Sequence, residues 1–193
     1  QWKIKWNLKP EEINVRAHAN QTPLAWAAYW YRVDAAKILI ANGADVNTKN
    51  YDDNTALHIA CNKAHSQSTE MVELLLNHGA EIDAKNKWGA TPLFVAVGGN
   101  RLAVVKILLN AGADPHAAGD DKQSTPLSHA ASINAIEIVD ELLLKQPDVT
   151  VDEFFKLAKD APSAILLKFL GRMDAKSRDM SGATAMHYAV TGM

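Results

Sequence analysis

The stretch Thr91-Pro92-Leu93-Phe94-Val95-Ala96, followed by Val104-Val105-Lys106-Ile107-Leu108-Leu109-Asn110-Ala111-Gly112-Ala113-Asp114, decides the fold. A threonine hydroxyl can accept from a free backbone N–H at a helix start, and Pro92 suits the first helical position, where its missing N–H costs nothing. The second part puts Val104, Ile107, Leu108 and Ala111 on one helical face. It stops at Gly112, which can take the left-handed conformation that closes a helix. One such pair of short helices cannot bury its own apolar face. It needs a neighbour of the same kind.

The chain supplies those neighbours by repeating itself. Leu24 and Ala27, Leu57 and Ala60, Leu93 and Ala96, and Leu127 and Ala130 share one register, with leucines 33, 36 and 34 residues apart. Thr22-Pro23, Thr55-Ala56, Thr91-Pro92 and Thr125-Pro126 open the same frame, and Gly43-Ala44-Asp45, Gly79-Ala80-Glu81 and Gly112-Ala113-Asp114 close it. Weaker fifth and sixth matches are Phe155 with Ala158 and the run Thr184-Ala185-Met186-His187-Tyr188-Ala189.

On these motifs the chain resembles the ankyrin-repeat family, whose signature is T-P-L-H-x-A at a period near 33 residues. The resemblance covers nearly the whole length, from about residue 13 onward. It implies a mostly all-α solenoid of helix-turn-helix repeats joined by β-hairpin loops. The expected organisation is a single array over 1–193. Within it, 1–13 is an N-terminal cap or partial repeat, and 14–46, 47–82, 83–116 and 117–150 are repeats. A degenerate repeat over 151–178 and a partial one over 179–193 complete it.

Bulk properties narrow the functional classes. The 193 residues are 48% apolar and 22% charged with a net charge of −2, which excludes a strongly basic nucleic-acid footprint. No run of eighteen apolar residues exists to span a membrane. The single cysteine, Cys61, excludes an internal disulfide and fits a reducing, cytoplasmic setting. Gln1 and Met193 both look like cut ends, so the chain is expected to be a segment of a longer protein.

Departures from the pattern mark places of interest. Residues 1–12 carry no repeat signature; their alternating Trp2, Ile4, Trp6 and Leu8 fit an extended apolar lid over the first repeat. Ile13-Asn14 matches Val46-Asn47 and Ile82-Asp83. The first inner helix ends in Tyr29-Trp30-Tyr31, and Tyr31 stands where the family usually has glycine, so a bulky residue there needs compensation. Three adjacent aromatics beside a turn cannot all be core. The second repeat carries a three-residue excess, which falls in the polar stretch 62–68, and Asn100 suits a left-handed turn. After Gln146-Pro147 the pattern decays.

No active site emerges. His58, Cys61 and His65 look like metal ligands in a row, but no further cysteine completes a structural zinc set. His58 also holds the T-x-x-H position, where the family's imidazole ties neighbouring loops. Asp52-Asp53 and Asp120-Asp121 are carboxylate pairs on expected hairpin tips, where both remain hydrated. Gly98-Gly99 lacks the lysine and the preceding strand of a phosphate loop. No cofactor and no metal are expected, and the chain is not read as an enzyme.

What an array can do is present a surface. Carried over by register, the family's variable tip positions fall on His18, Ala19 and Gln21; Tyr51, Asp52 and Asn54; Lys87, Trp88 and Ala90; and Asp121, Lys122 and Ser124. The inner-helix positions are Tyr29 and Trp30, Asn62 and Lys63, Gly98 and Gly99, and Ser132 and Ile133. Aromatic residues dominate interface hot spots, because a rigid ring buries much area at low entropic cost. The partner-binding set is therefore Tyr29, Trp30, Tyr51, Asp52, Lys87, Trp88, Lys122 and Ile133. The expected role is recruiting or scaffolding another protein as a monomer, without nucleic acid or membrane insertion. The alternative is a targeting segment of a larger enzyme or secreted effector. A third reading is modification: Leu39 lies eight residues before Asn47, which resembles the targets of asparaginyl hydroxylases in ankyrin repeats.

Overall fold

The computed structural model describes residues 13–15, 21–62, 68–117, 119, 124–145 and 165. Among these residues eight helices follow one another: α1 (Pro23–Tyr29), α2 (Val33–Ala41), α3 (Ala56–Asn62), α4 (Ser68–Asn77), α5 (Pro92–Gly98), α6 (Leu102–Asn110), α7 (Pro126–Ser132) and α8 (Ile136–Lys145). Helices of seven to ten residues are too short to persist alone in water. They are held by stacking. The odd-numbered helices form one layer (α1 on α3, α3 on α5, α5 on α7), and the even-numbered ones form a second layer behind it.

The threonines start the inner helices as their sequence promises. The hydroxyl oxygens of Thr22, Thr91 and Thr125 accept from the backbone N–H of Ala25, Phe94 and Ser128, and proline follows each. Ser128 returns the bond by accepting from the Thr125 N–H at 2.8 Å. Each such cap contributes about 1 kcal/mol.

One core runs through the stack. Leu24, Leu57, Leu93 and Leu127 are all completely buried, one per repeat, with Ala60, Ala96 and Ala130 beside them. Outer helices add Leu39, Leu75, Leu108 and Leu142. The buried face of α6 differs from the expected one. Val104, Val105, Leu108 and Leu109 are buried, whereas Ile107 is partly covered and Ala111 is exposed. The helix is clamped between α4, α5 and α8, so its contact stripe is wider and rotated from the single face counted in the sequence. Beyond α8 the described residue is Ile165, which belongs to this same core. The expected repeats over 151–178 and 179–193 otherwise lie outside the described residues, as does the lid over 1–12.

Three inter-helix turns among the described residues use one conformation. Tyr31, Asn100 and Asn134 have φ of 52°, 54° and 56° at equivalent places. Tyr31 is only 5% exposed, so the aromatic body that makes this backbone costly is also the part that is buried in compensation. Of the three consecutive aromatics, one is thus core.

Between helix pairs the chain makes fingers whose turns are held by asparagine side chains, with no strand among the described residues. At the finger base, Asn14 Oδ1 accepts from the Asp45 N–H and Asn47 Oδ1 from the Glu81 N–H, at 3.0 and 2.8 Å. Asp83 Oδ1 accepts from the Asp114 N–H at 3.1 Å. The match of Asn14, Asn47 and Asp83 along the sequence therefore marks a ladder that ties each repeat to the next. Asn47 spends its amide as well, donating to the Gly79 carbonyl at 3.0 Å.

Candidate functional site

The site begins at two finger tips. Asn50 Oδ1 accepts from the backbone N–H of Asp52 and of Asn54, folding the first tip. Asn86 Oδ1 does the same for Trp88 and Ala90, 36 positions later. Such side-chain mimicry of a turn is what asparagine does well. Asp53 and Gly89, at matching positions, both take positive φ. The tips are then stapled together: the Lys87 N–H donates to the Asp52 carbonyl at 2.9 Å, and Asn86 Nδ2 donates to Asn54 Oδ1 at 3.0 Å. Asp52 and Trp88 consequently occupy the same place on adjacent fingers.

Behind the tips, His58 locks the second repeat to the third. Its Nδ1 accepts from the Thr55 N–H at 3.2 Å, and its Nε2 lies 3.0 Å from the Ala90 carbonyl. A carbonyl can only accept, so Nε2 carries the proton and the ring is neutral. Burial pushes its pKa down to about 4. Cys61 is completely buried and its thiol pKa is raised by desolvation, the opposite of what a nucleophile or a metal ligand needs. His65 lies outside the described residues, and among those described no group of three metal-ligating side chains occurs.

Between tips and inner helices runs a groove of about 490 Å³. Three of the expected contact residues meet there: Asp52 and Trp88 from the tips and Tyr29 from the end of α1. Trp30 is displaced to the edge, 64% exposed and packed edge-on against Tyr29 at 5.0 Å between ring centroids. Tyr51, Lys87 and Ile133 are exposed but do not line the groove. Lys87 Nζ stands 4.0 Å from an Asp52 carboxylate oxygen, a loose pair between half-exposed groups. Lys122 lies outside the described residues.

Two tip positions carried over from the family are structural rather than exposed. Ala90 is buried and lends its carbonyl to His58. Asn54 is committed to Asn50 and Asn86. The sequence reading also missed a wall. Phe94 and His129 stack at 4.9 Å with planes 21° apart, from successive inner helices, and both line the groove. Phe94 had been absorbed into the helix-start motif; its place one residue after the buried Leu93 was the available signal. The groove floor is kept open by glycine: a Cβ on Gly98 would sit 3.0 Å from His129 Nε2, and one on Gly99 3.0 Å from the Asn62 carbonyl.

A family model described as ankyrin repeats (3 copies) matches residues 3–86 and 64–153. Over 129 residues, 66% of this chain, the sequence is 37% identical to the Caenorhabditis elegans ankyrin repeat and KH domain-containing protein mask-1, of which that is 5%. It is 28% identical over 150 residues to the mouse B-cell lymphoma 3 protein homolog, covering 77% of this chain and 34% of that one. It is 42% identical over 76 residues to Arabidopsis thaliana serine/threonine-protein kinase 12, covering 39% and 16%. The chain therefore spans about a third or less of each of these relatives. Among the described residues no helix is long and apolar enough to cross a membrane.

Proposed function

The chain belongs to the ankyrin-repeat family, a generic protein-interaction module, and from that premise we propose that it recruits or scaffolds a partner protein on its concave face. The observation that carries this reading is the groove in which Tyr29, Asp52 and Trp88 converge from separate repeats. Tyr51 at 72% exposure, Trp30, Lys87 and Ile133 are exposed and belong with it to the proposed contact set, as does Lys122 by its register in the sequence. The stack is pre-organised by buried leucines and side-chain-locked tips, so docking needs little ordering. The module acts as a monomer over 1–193, in the cytoplasm, without a cofactor.

Immobilised chain would be offered the lysate of its source cell beside Trp30→Ala and Trp88→Ala. A protein held by the wild type and lost from a folded variant supports the reading. A partner retained equally by both variants overturns the assignment of this face.

A second reading has one observation in its favour. A serine/threonine-protein kinase is among the relatives, and the chain matches only 16% of it. In that reading the array is the targeting segment of a larger enzyme or secreted effector. Sequencing the complete reading frame decides between the two.

A further inference from the structure

We propose that the concave groove anchors an arginine side chain of an extended peptide segment, seated between Trp88 and Tyr29 with its guanidinium on Asp52. The inference rests on the protein-binding reading and names the chemistry of its partner. Three observations carry it.

The first is charge. Among the described residues that line the groove, Asp52 is the one with a fixed charge, and it is negative. The remaining described polar lining is carboxamide, imidazole, the Tyr29 phenol and the Trp88 indole, and burial keeps His58 neutral while its ring is bonded to Thr55 and Ala90. An acidic peptide would meet the Asp52 carboxylate there, with Lys87 Nζ 4.0 Å from it as a loose counter-ion.

The second is which acceptors are uncommitted. Asn50, Asn54 and Asn86 are used up inside the tips. Gln21, by contrast, lines the groove and has its Oε1 buried without a hydrogen-bond partner among the described residues. An unsatisfied buried acceptor asks for a donor, and a guanidinium brings five. Asp52 is available too, since its contact with Lys87 is long and half exposed, and an exposed pair of that kind is easily displaced.

The third is shape. Trp88 on the tip side and Tyr29 on the helix side line the groove with aromatic rings, Trp88 half exposed at 49% and Tyr29 set edge-to-face with Trp26 and Trp30. A planar cation that is more weakly hydrated than an ammonium stacks on such faces while donating in its own plane. Arginine is therefore favoured over lysine, and a neutral side chain of the same shape gains only the stacking.

The test is a titration of the ¹⁵N-labelled chain with N-acetyl-arginine amide, read at the Trp88 indole N–H and assigned with Trp88→Phe. N-acetyl-citrulline amide, neutral and nearly isosteric, is the control, and Asp52→Asn is the variant. Saturable shifts with the arginine compound, at least tenfold weaker binding of the citrulline one, and a similar loss in Asp52→Asn support the anchor. Equal response to both compounds, or unchanged binding in Asp52→Asn with its folded spectrum intact, overturns it. The two readings separate cleanly. A partner lost on Trp88→Ala but retained by Asp52→Asn and not displaced by the arginine compound keeps the docking face and removes the arginine.

Discussion

His58 and Ala90 stand 32 residues apart in sequence and are joined by one hydrogen bond, the imidazole Nε2–H donating to the carbonyl at 3.0 Å. Nδ1 faces the Thr55 N–H at 3.2 Å and the Thr55 hydroxyl at 2.9 Å, so a second ring proton there would displace the bond from the backbone N–H. Charging the ring therefore costs the Thr55 bond and puts a cation in a buried site, while the Nε2–H bond to Ala90 is kept. The folded pKa is depressed to about 4 from 6.5. Above pH 6.5 the ring is neutral in both states and nothing is lost. Below it the unfolded chain takes up a proton that the native state refuses, so stability falls as pH drops toward 4 and then levels. The loss amounts to about 3 kcal/mol across that window. Denaturant midpoints at pH 7, 5.5 and 4.5 should show it, and His58→Gln should flatten the profile; an equally steep profile in the variant would assign the effect elsewhere.

Core and groove substitutions should part company. Leu108 is completely buried between neighbouring repeats, so Leu108→Ala leaves a cavity and costs about 2–5 kcal/mol. Trp88 is half exposed, and Trp88→Ala should stay within about 1 kcal/mol. Thermal unfolding of the two variants checks this. A larger shift for Trp88→Ala than for Leu108→Ala contradicts the register.

The three left-handed turns predict opposite signs for one substitution. Asn134 is exposed with φ of 56°, so Asn134→Gly relieves the backbone at no packing cost and should be neutral or stabilising, by up to about 1 kcal/mol. Tyr31 has the same backbone but a buried ring, and losing that burial costs about 2 kcal/mol or more, exceeding the relief. Tyr31→Gly should therefore destabilise. Chemical denaturation of both variants gives the signs directly.

Cys61 should be silent in the native protein. Its thiol is fully buried and desolvation holds it protonated, so an aromatic disulfide reagent should react at the rate of unfolding rather than of a free thiol. Stopped-flow labelling in buffer and in denaturant provides the comparison, and fast labelling of folded chain would mean the helix pair opens locally.

Much of this was legible in one dimension. Leu24, Leu57, Leu93 and Leu127 could be aligned by eye because every repeat solves the same packing problem, and identical environments select identical residues. Thr91-Pro92 and Gly112 announced their helix ends through local chemistry that does not depend on the rest of the chain. Asn14, Asn47 and Asp83 matched along the sequence because each holds the next repeat in the same way.

What tertiary structure alone decided is which side chains share a space. Tyr29, Trp30 and Tyr31 are indistinguishable by type and adjacent in sequence, yet they line the groove, lie at its edge and enter the core. Those assignments follow from the end of α1 at Tyr29, the left-handed turn at Tyr31 and which neighbours are stacked alongside. Ala90 read as surface and is buried, because the Asn86 turn folds it back under the tip, where His58 takes its carbonyl. Phe94 and His129 form one wall although 35 positions separate them. By itself the sequence determined the repeat, its caps and its core, since those are local or periodic properties. Which aromatics face a partner was set only when the repeats stacked, because that depends on distances between residues with no relation along the chain.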